Sequence, residues 1–238
     1  MSNYQRSCLH CNLDSSECVC EDSTLNALSL SYLEDGQWVT LPRTKALEAR
    51  KEGLAKFQEH FERYIEEDST SVLYRWAMKA LEAAPLYFWV VPSSSSGKYH
   101  PPFSQGYGGL VRHVFAVMYM TRELATTFEL TTYDERPVAT IAAALHDICK
   151  YGLEYNPRYF GVHECLVRVK LGKKNADVLK DCKDAYTANR ILAAVETHNG
   201  NLESGEWTAF RLPPQDKVAQ VVHLADYVVS RKKFHFEV

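Results

Sequence analysis

Long apolar runs are missing from this chain of 238 residues. Its longest strongly apolar stretch, Leu86–Val91, falls far short of the roughly 20 residues that cross a bilayer. Met1 to Cys20 also lacks the apolar core of a secretory signal, so the expectation is a soluble cytoplasmic protein that makes no membrane contact. Charge of one sign is scarce too. The net charge of -3 excludes a general basic footprint for nucleic acid. The local clusters Arg168-Lys170-Lys173-Lys174 and Arg231-Lys232-Lys233 read as solvated faces. No internal repeat is visible.

What is present bounds the architecture. A 46% hydrophobic content suffices for one sizeable core, or for a core with an appendage. Cys149, Cys165 and Cys182 read as reduced thiols. The other four cysteines crowd together as Cys8-x2-Cys11-x6-Cys18-x-Cys20, with His10 among them. In a reducing compartment that spacing fits a small structural zinc knot, the alternative being a tail without metal. We therefore divide the chain into an N-terminal extension, residues 1–41, and a main domain, residues 42–238. The extension includes a short hairpin around Asp35-Gly36. Periodicity predicts a predominantly helical main domain. Pro42 to Glu67 is an amphipathic helix with Leu47, Leu54, Phe57, Phe61 and Ile65 on one side, and Thr70 to Ala84 is a second helix stopped by Pro85.

Five polar side chains interrupt apolar stripes. Ile191, Ala194 and Val195 recur at helical spacing and His198 is next on the stripe; Asp226 lies beside Val222, Ala225 and Val229. His113 falls between Leu110 and Val117. His146-Asp147 follows Ala142 and Ala143, which places the doublet in the middle of a small-residue helix. A single inward histidine is commonly a hydrogen-bonded core residue, and an inward aspartate can be a cap or an arginine partner. As a set, however, neutral imidazoles and carboxylates supply the N and O donors that divalent transition metals accept. A buried carboxylate also requires a counter-charge.

The order His113, His146-Asp147, His163, His198, Asp226 resembles the signature of the HD-domain metal-dependent phosphohydrolases. The likeness covers about residues 98–233 and includes the flanking runs Gly108-Gly109-Leu110-Val111-Arg112-His113 and Leu145-His146-Asp147-Ile148-Cys149-Lys150. It implies an all-α helical bundle. It further implies one ion on His113, His146, Asp147 and Asp226, and in two-metal members a second on His163 and His198 with Asp147 bridging. The metal would be Mn, Fe, Co, Ni or Zn. The stretch His198-Asn199-Gly200-Asn201 with Pro213-Pro214 is similar to the HD domain of bacterial HD-type 3′→5′ exoribonucleases. Those usually carry a second histidine where this chain has Asn199, and also an oligonucleotide-binding barrel that has no counterpart here.

Lys150, one helical turn beyond Asp147, occupies the place where HD proteins often put a phosphate-contacting lysine; its alternative role is to offset a helix dipole near Gly152. A long turn-rich loop, Val91 to Gly109, leads into the His113 segment and reads as a pocket wall or as a stiff linker. Lys98, His100 and Arg112, with Lys150, are the candidate substrate contacts. The implied activity is hydrolysis of a phosphoester in a nucleotide or short single-stranded nucleic acid by metal-activated water, with Asp147 and Lys150 as catalytic residues. Cyclic-nucleotide phosphodiesterase, dNTP triphosphohydrolase and 5′-nucleotidase are the variants of that chemistry. The alternative from another class is a catalytically inactive HD-fold module that binds metal and regulates a partner.

Overall fold

An Asp-Gly pair between two alternating runs is the strongest short hairpin signal in the chain. In the computed structural model β1 (Ser29–Glu34) does pair antiparallel with β2 (Gln37–Pro42), Glu34 facing Gln37. Asp35 and Gly36 have φ of 46° and 79°, the left-handed values that a two-residue hairpin loop requires. The structure describes residues 29–64, 68–95, 100–130, 135–159, 162–174, 178–179, 181–182, 184–199, 213–214 and 216–235. Cys8, Cys11, Cys18, Cys20 and Lys98 lie outside these described residues. The hairpin is fastened to the helical body: Tyr32 is buried in the core, and the Leu33 N–H donates to the Tyr155 hydroxyl at 3.0 Å.

The two helices expected next are α1 (Arg43–Tyr64) and α2 (Asp68–Glu82). The buried stripe of α1 runs through Ala46, Gly53, Phe57 and Phe61, which leaves Leu47 and Leu54 half-buried on its flank instead of on the inward face. Phe57 stacks on Phe115 with ring centroids 4.3 Å apart. Gly53 lies under Trp89, where a Cβ would meet the ring at 2.5 Å. The apolar stretch after Pro85 forms a 3-10 turn, Leu86–Trp89, that sends Tyr87, Phe88 and Trp89 into the core.

Five more helices frame the residues of interest: α3 (Gly109–Thr127), α4 (Glu135–Leu145), α5 (His163–Val169), α6 (Ala185–Glu196) and α7 (Lys217–Val229). Every residue of α4 from Val138 to Leu145 is buried. Its alanines let α2, α3, α6 and α7 all pack closely around it. Aspartate caps fix where α6 and α7 begin, since Asp184 accepts from the Thr187 N–H and Asp216 from the Ala219 N–H. Arg190 on α6 bonds both Asp216 at 2.8 Å and Glu135 at 2.9 Å, and so ties the starts of α7 and α4 together. The fold is all-α apart from the hairpin. Among the described residues, no helix is long and apolar enough to cross a membrane.

Candidate metal centre

The α3 segment delivers His113 because its start is pinned. Gly108 adopts φ 69°, and a Cβ on Gly109 would sit 2.7 Å from the Ser104 carbonyl carbon. The preceding loop is cross-braced as well: Ser93 N–H donates to Ser104 O at 2.9 Å, the two buried hydroxyls bond each other at 2.9 Å, and Leu110 N–H reaches Val91 O at 2.9 Å. Arg112 completes the brace. Its guanidinium donates to the carbonyls of Phe103 (2.6 Å), Gln105 (2.6 Å) and Tyr107 (2.7 Å), so all three nitrogens are committed to the loop backbone. Its described parts, residues 91–95 and 100–109, therefore form a braced wall rather than a linker.

His146 and Asp147 are not in mid-helix, as periodicity suggested. The last residue of α4 is Leu145, and the doublet opens a run of tight turns in which Ile148 and Lys150 bond carbonyls three residues back. His198 likewise lies two residues beyond the end of α6. The last carbonyls of a helix have no partner inside it. Here the imidazoles take two of them: His146 Nδ1 donates to Ala143 O at 2.7 Å and His198 Nδ1 to Val195 O at 2.6 Å. A carbonyl only accepts, so each Nδ1 carries a proton and each Nε2 faces the cluster.

At the centre stands Asp147, whose two oxygens face different groups. Oδ2 lies 3.5 Å from His113 Nε2 and 3.4 Å from His146 Nε2, and it receives an ion pair from Lys150. Oδ1 lies 3.0 Å from His163 Nε2 and 3.6 Å from His198 Nε2. Asp226 closes the first group, with Oδ1 3.1 Å from His113 Nε2 and held from behind by the Ser230 hydroxyl at 3.1 Å. The structure thus brings together all six residues expected to ligate metal: His113 and His146 lie beside one oxygen of Asp147 with Asp226 against both of them, and His163 and His198 lie beside the other oxygen.

Electrostatics follow from this crowding. Burial alone would raise the Asp147 carboxyl, but Lys150, His146 and His163 outweigh it and hold the group well below its ordinary range. Asp226 behaves likewise: burial raises it, and His113, His146 and His198 pull it down further. Burial pushes His113 and His163 down. Burial also works against a charged His198, but its contact with Asp147 and the nearby Asp226 charge hold it above the usual value.

The arrangement fits a divalent cation. Two histidine Nε2 atoms, His113 and His146, approach to 3.3 Å inside a buried site. Asp147 Oδ1 and His163 Nε2 are buried and, though 3.0 Å apart, are not aligned for a well-directed hydrogen bond. Imidazole nitrogens and carboxylate oxygens that converge in this way suit Mn, Fe, Co, Ni or Zn. Two donor groups are close enough to share an ion, His113-His146-Asp226 and His146-Asp147-His198.

The cluster opens into a cleft of about 770 Å³. His163, His198 and Asp226 line it, together with Lys150 and His100. The His100 ring meets His113 edge-on at 5.6 Å, and burial, helped by Lys150 and His113, lowers its pKa to about 3, so it stays neutral. Asn199, His223, Tyr227 and Ser230 also line the cleft, as does Arg231-Lys232-Lys233, the run read from sequence as a solvated face. His223, one turn before Asp226 on α7, donates from Nδ1 to His198 O at 2.6 Å. Sequence reading passed over it, although its three-residue spacing from Asp226 puts both on one face.

An α-helical bundle with buried histidines and aspartates converging on a cleft defines a protein equipped to hold metal. The HD domain family matches residues 110–230, just over half of the sequence and the stretch from His113 to Asp226, and the chain belongs to that family. Comparison with curated proteins and with solved structures gives no significant match, so the finer likeness to HD-type exoribonucleases gains no support there.

Proposed function

We propose that the protein is a metal-dependent phosphohydrolase that cleaves a phosphoester of a nucleotide or short nucleic acid. The observation that carries this reading is the divided set of side-chain contacts around Asp147. One carboxylate presents separate oxygens to two histidine groups beside an open, cation-lined cleft. In this reading His113, His146, Asp147 and Asp226 would hold one ion, and His163 and His198, with Asp147, would hold a second. A bound divalent cation supplies Lewis acidity, which makes water a stronger nucleophile at neutral pH and polarises a phosphoryl oxygen.

The chain's own residues do the rest. Lys150, paired to Asp147 and facing the cleft, neutralises charge that builds on a non-bridging phosphoryl oxygen. Neutral His100 offers a hydrogen bond without adding charge. Arg112 acts as a clamp on the loop rather than as a substrate contact. The spacing of Cys8, Cys11, Cys18 and Cys20 supports a separate, structural zinc site.

Elemental analysis of the purified protein, followed by hydrolysis of bis-p-nitrophenyl phosphate with added Mn or Co, tests this. Turnover that disappears with chelator is expected, with one zinc beyond the ions of the His/Asp cluster. Stoichiometric metal without turnover on any phosphoester would instead identify an inactive regulatory module.

A further inference from the structure

Among the described residues, four cationic side chains, Lys150, Arg231, Lys232 and Lys233, line the cleft against one carboxylate, that of Asp226, although the chain as a whole carries a net charge of -3. The metal centre and Lys150 serve the phosphate under attack. The other three cations follow directly on α7. A helix C-terminus carries about half a negative charge, so three cations overcompensate it and leave a positive surface. Among the described residues, Lys232 and Lys233 form no ion pair.

This basic turn is fixed in place from both sides. Ser230, just before it, bonds Asp226, and Phe234, just after it, packs on Phe103 with ring centroids 6.2 Å apart. The Phe234 N–H donates to Arg231 O at 2.8 Å, and the Arg231 guanidinium lies over the Tyr227 ring at 3.5 Å. The turn that follows the last candidate ligand is therefore a shelf with a defined position along the cleft, not a loose charged tail.

We propose that this shelf is a second phosphate site, and that the substrate is a nucleotide bearing a further phosphate beyond the one attacked. The phosphate under attack sits by Asp147 and Lys150, while Lys232 and Lys233 hold its neighbour. The assignment rests on the phosphohydrolase reading for the first phosphate and on the shelf alone for the second. A terminal phosphate of an oligonucleotide and an anhydride-linked phosphate of a nucleoside polyphosphate share this chemistry.

Equilibrium binding to the full chain in the presence of chelator, where nothing is turned over, separates the cases. The probes are the dinucleotide TpT without a terminal phosphate, with a 5′-phosphate and with a 3′-phosphate, alongside dTMP, dTDP and dTTP. At least one form with an added phosphate should bind about tenfold tighter than its parent, the scale of one charge-assisted contact set. In Lys232→Gln/Lys233→Gln that gain should shrink to below about twofold, with a shallower salt dependence. Whichever pair shows the gain names the source of the phosphate. Equal binding within every pair, or a gain that survives the double substitution, overturns the shelf. Hydrolysis of bis-p-nitrophenyl phosphate is scored separately. Phosphate discrimination without any hydrolysis would refute the enzyme reading and keep the shelf; hydrolysis without discrimination would do the reverse.

Discussion

Replacing Arg112 distinguishes a clamp from a substrate contact, because the two roles respond differently to lysine. The guanidinium makes three bonds to carbonyls, from Nε to Phe103, from Nη2 to Gln105 and from Nη1 to Tyr107; the first two are partly buried and the third is exposed. Allowing about 1 to 1.5 kcal/mol for each of the partly buried pair and about 0.5 for the exposed one gives a loss near 3 kcal/mol for Arg112→Ala. For a chain of this size that is a fall in Tm of roughly 6 to 12 °C. Lysine keeps the charge but replaces the planar fork with a single ammonium that cannot serve three carbonyls. Arg112→Lys should therefore lose most of the same stability, and kcat/KM should fall with it, since the loosened loop leads into His113. Thermal unfolding followed by circular dichroism reads the first effect, and hydrolysis of bis-p-nitrophenyl phosphate reads the second. An Arg112→Lys protein within 1 °C of wild type would refute the clamp.

Asp147→Asn keeps the shape of the side chain but not its charge, so metal content should collapse, with turnover down more than about a hundredfold; near wild-type activity would remove Asp147 from the site. His198→Ala should cost about one equivalent of metal while the ion on His113, His146, Asp147 and Asp226 remains, as elemental analysis will show. Gly109→Ala drives a Cβ into the Ser104 carbonyl and should lower stability by about 3 kcal/mol in urea denaturation, because the obstacle is backbone. His60, held neutral mainly by burial and also by Arg122 and Arg63, has its pKa lowered to about 4. Its contribution to stability is complete above its unfolded value near 6.5 and is lost as pH falls through the folded one, so Tm in His60→Gln should decline less steeply over that window.

The inward histidines were legible because burial of a helix face is written in its period, and a polar residue on an apolar stripe is visible without any structure. The breaks at Leu145 and Glu196 were not. Ile148 and Cys149 after the doublet are both buried and continue the apolar pattern, so a helix and a run of three-residue turns look the same in sequence. Arg112 misled through its neighbours: adjacency to His113 in the chain says nothing about which carbonyls fold back over it. The Arg231-Lys232-Lys233 run was opaque for a related reason, since a charged turn after a helix reads alike whether it meets solvent or a cleft. Ser230 and Phe234 decide between these, and both decide through tertiary contacts. His223 could have been found from its spacing to Asp226, had two polar groups on one face been weighed together.

Because His146 and His198 each hang from a carbonyl three residues back at the end of a helix, α4 and α6 act as rulers. One residue added to either helix would turn its imidazole by about 100° and carry it about 1.5 Å along the axis. It would also consume the carbonyl that sets the tautomer. Length changes in this protein should therefore be confined to the loops before each helix, with the distance from the helix end to its histidine held constant. A substitution that stabilises the final turn of α4 or α6 would then trade metal affinity for helix.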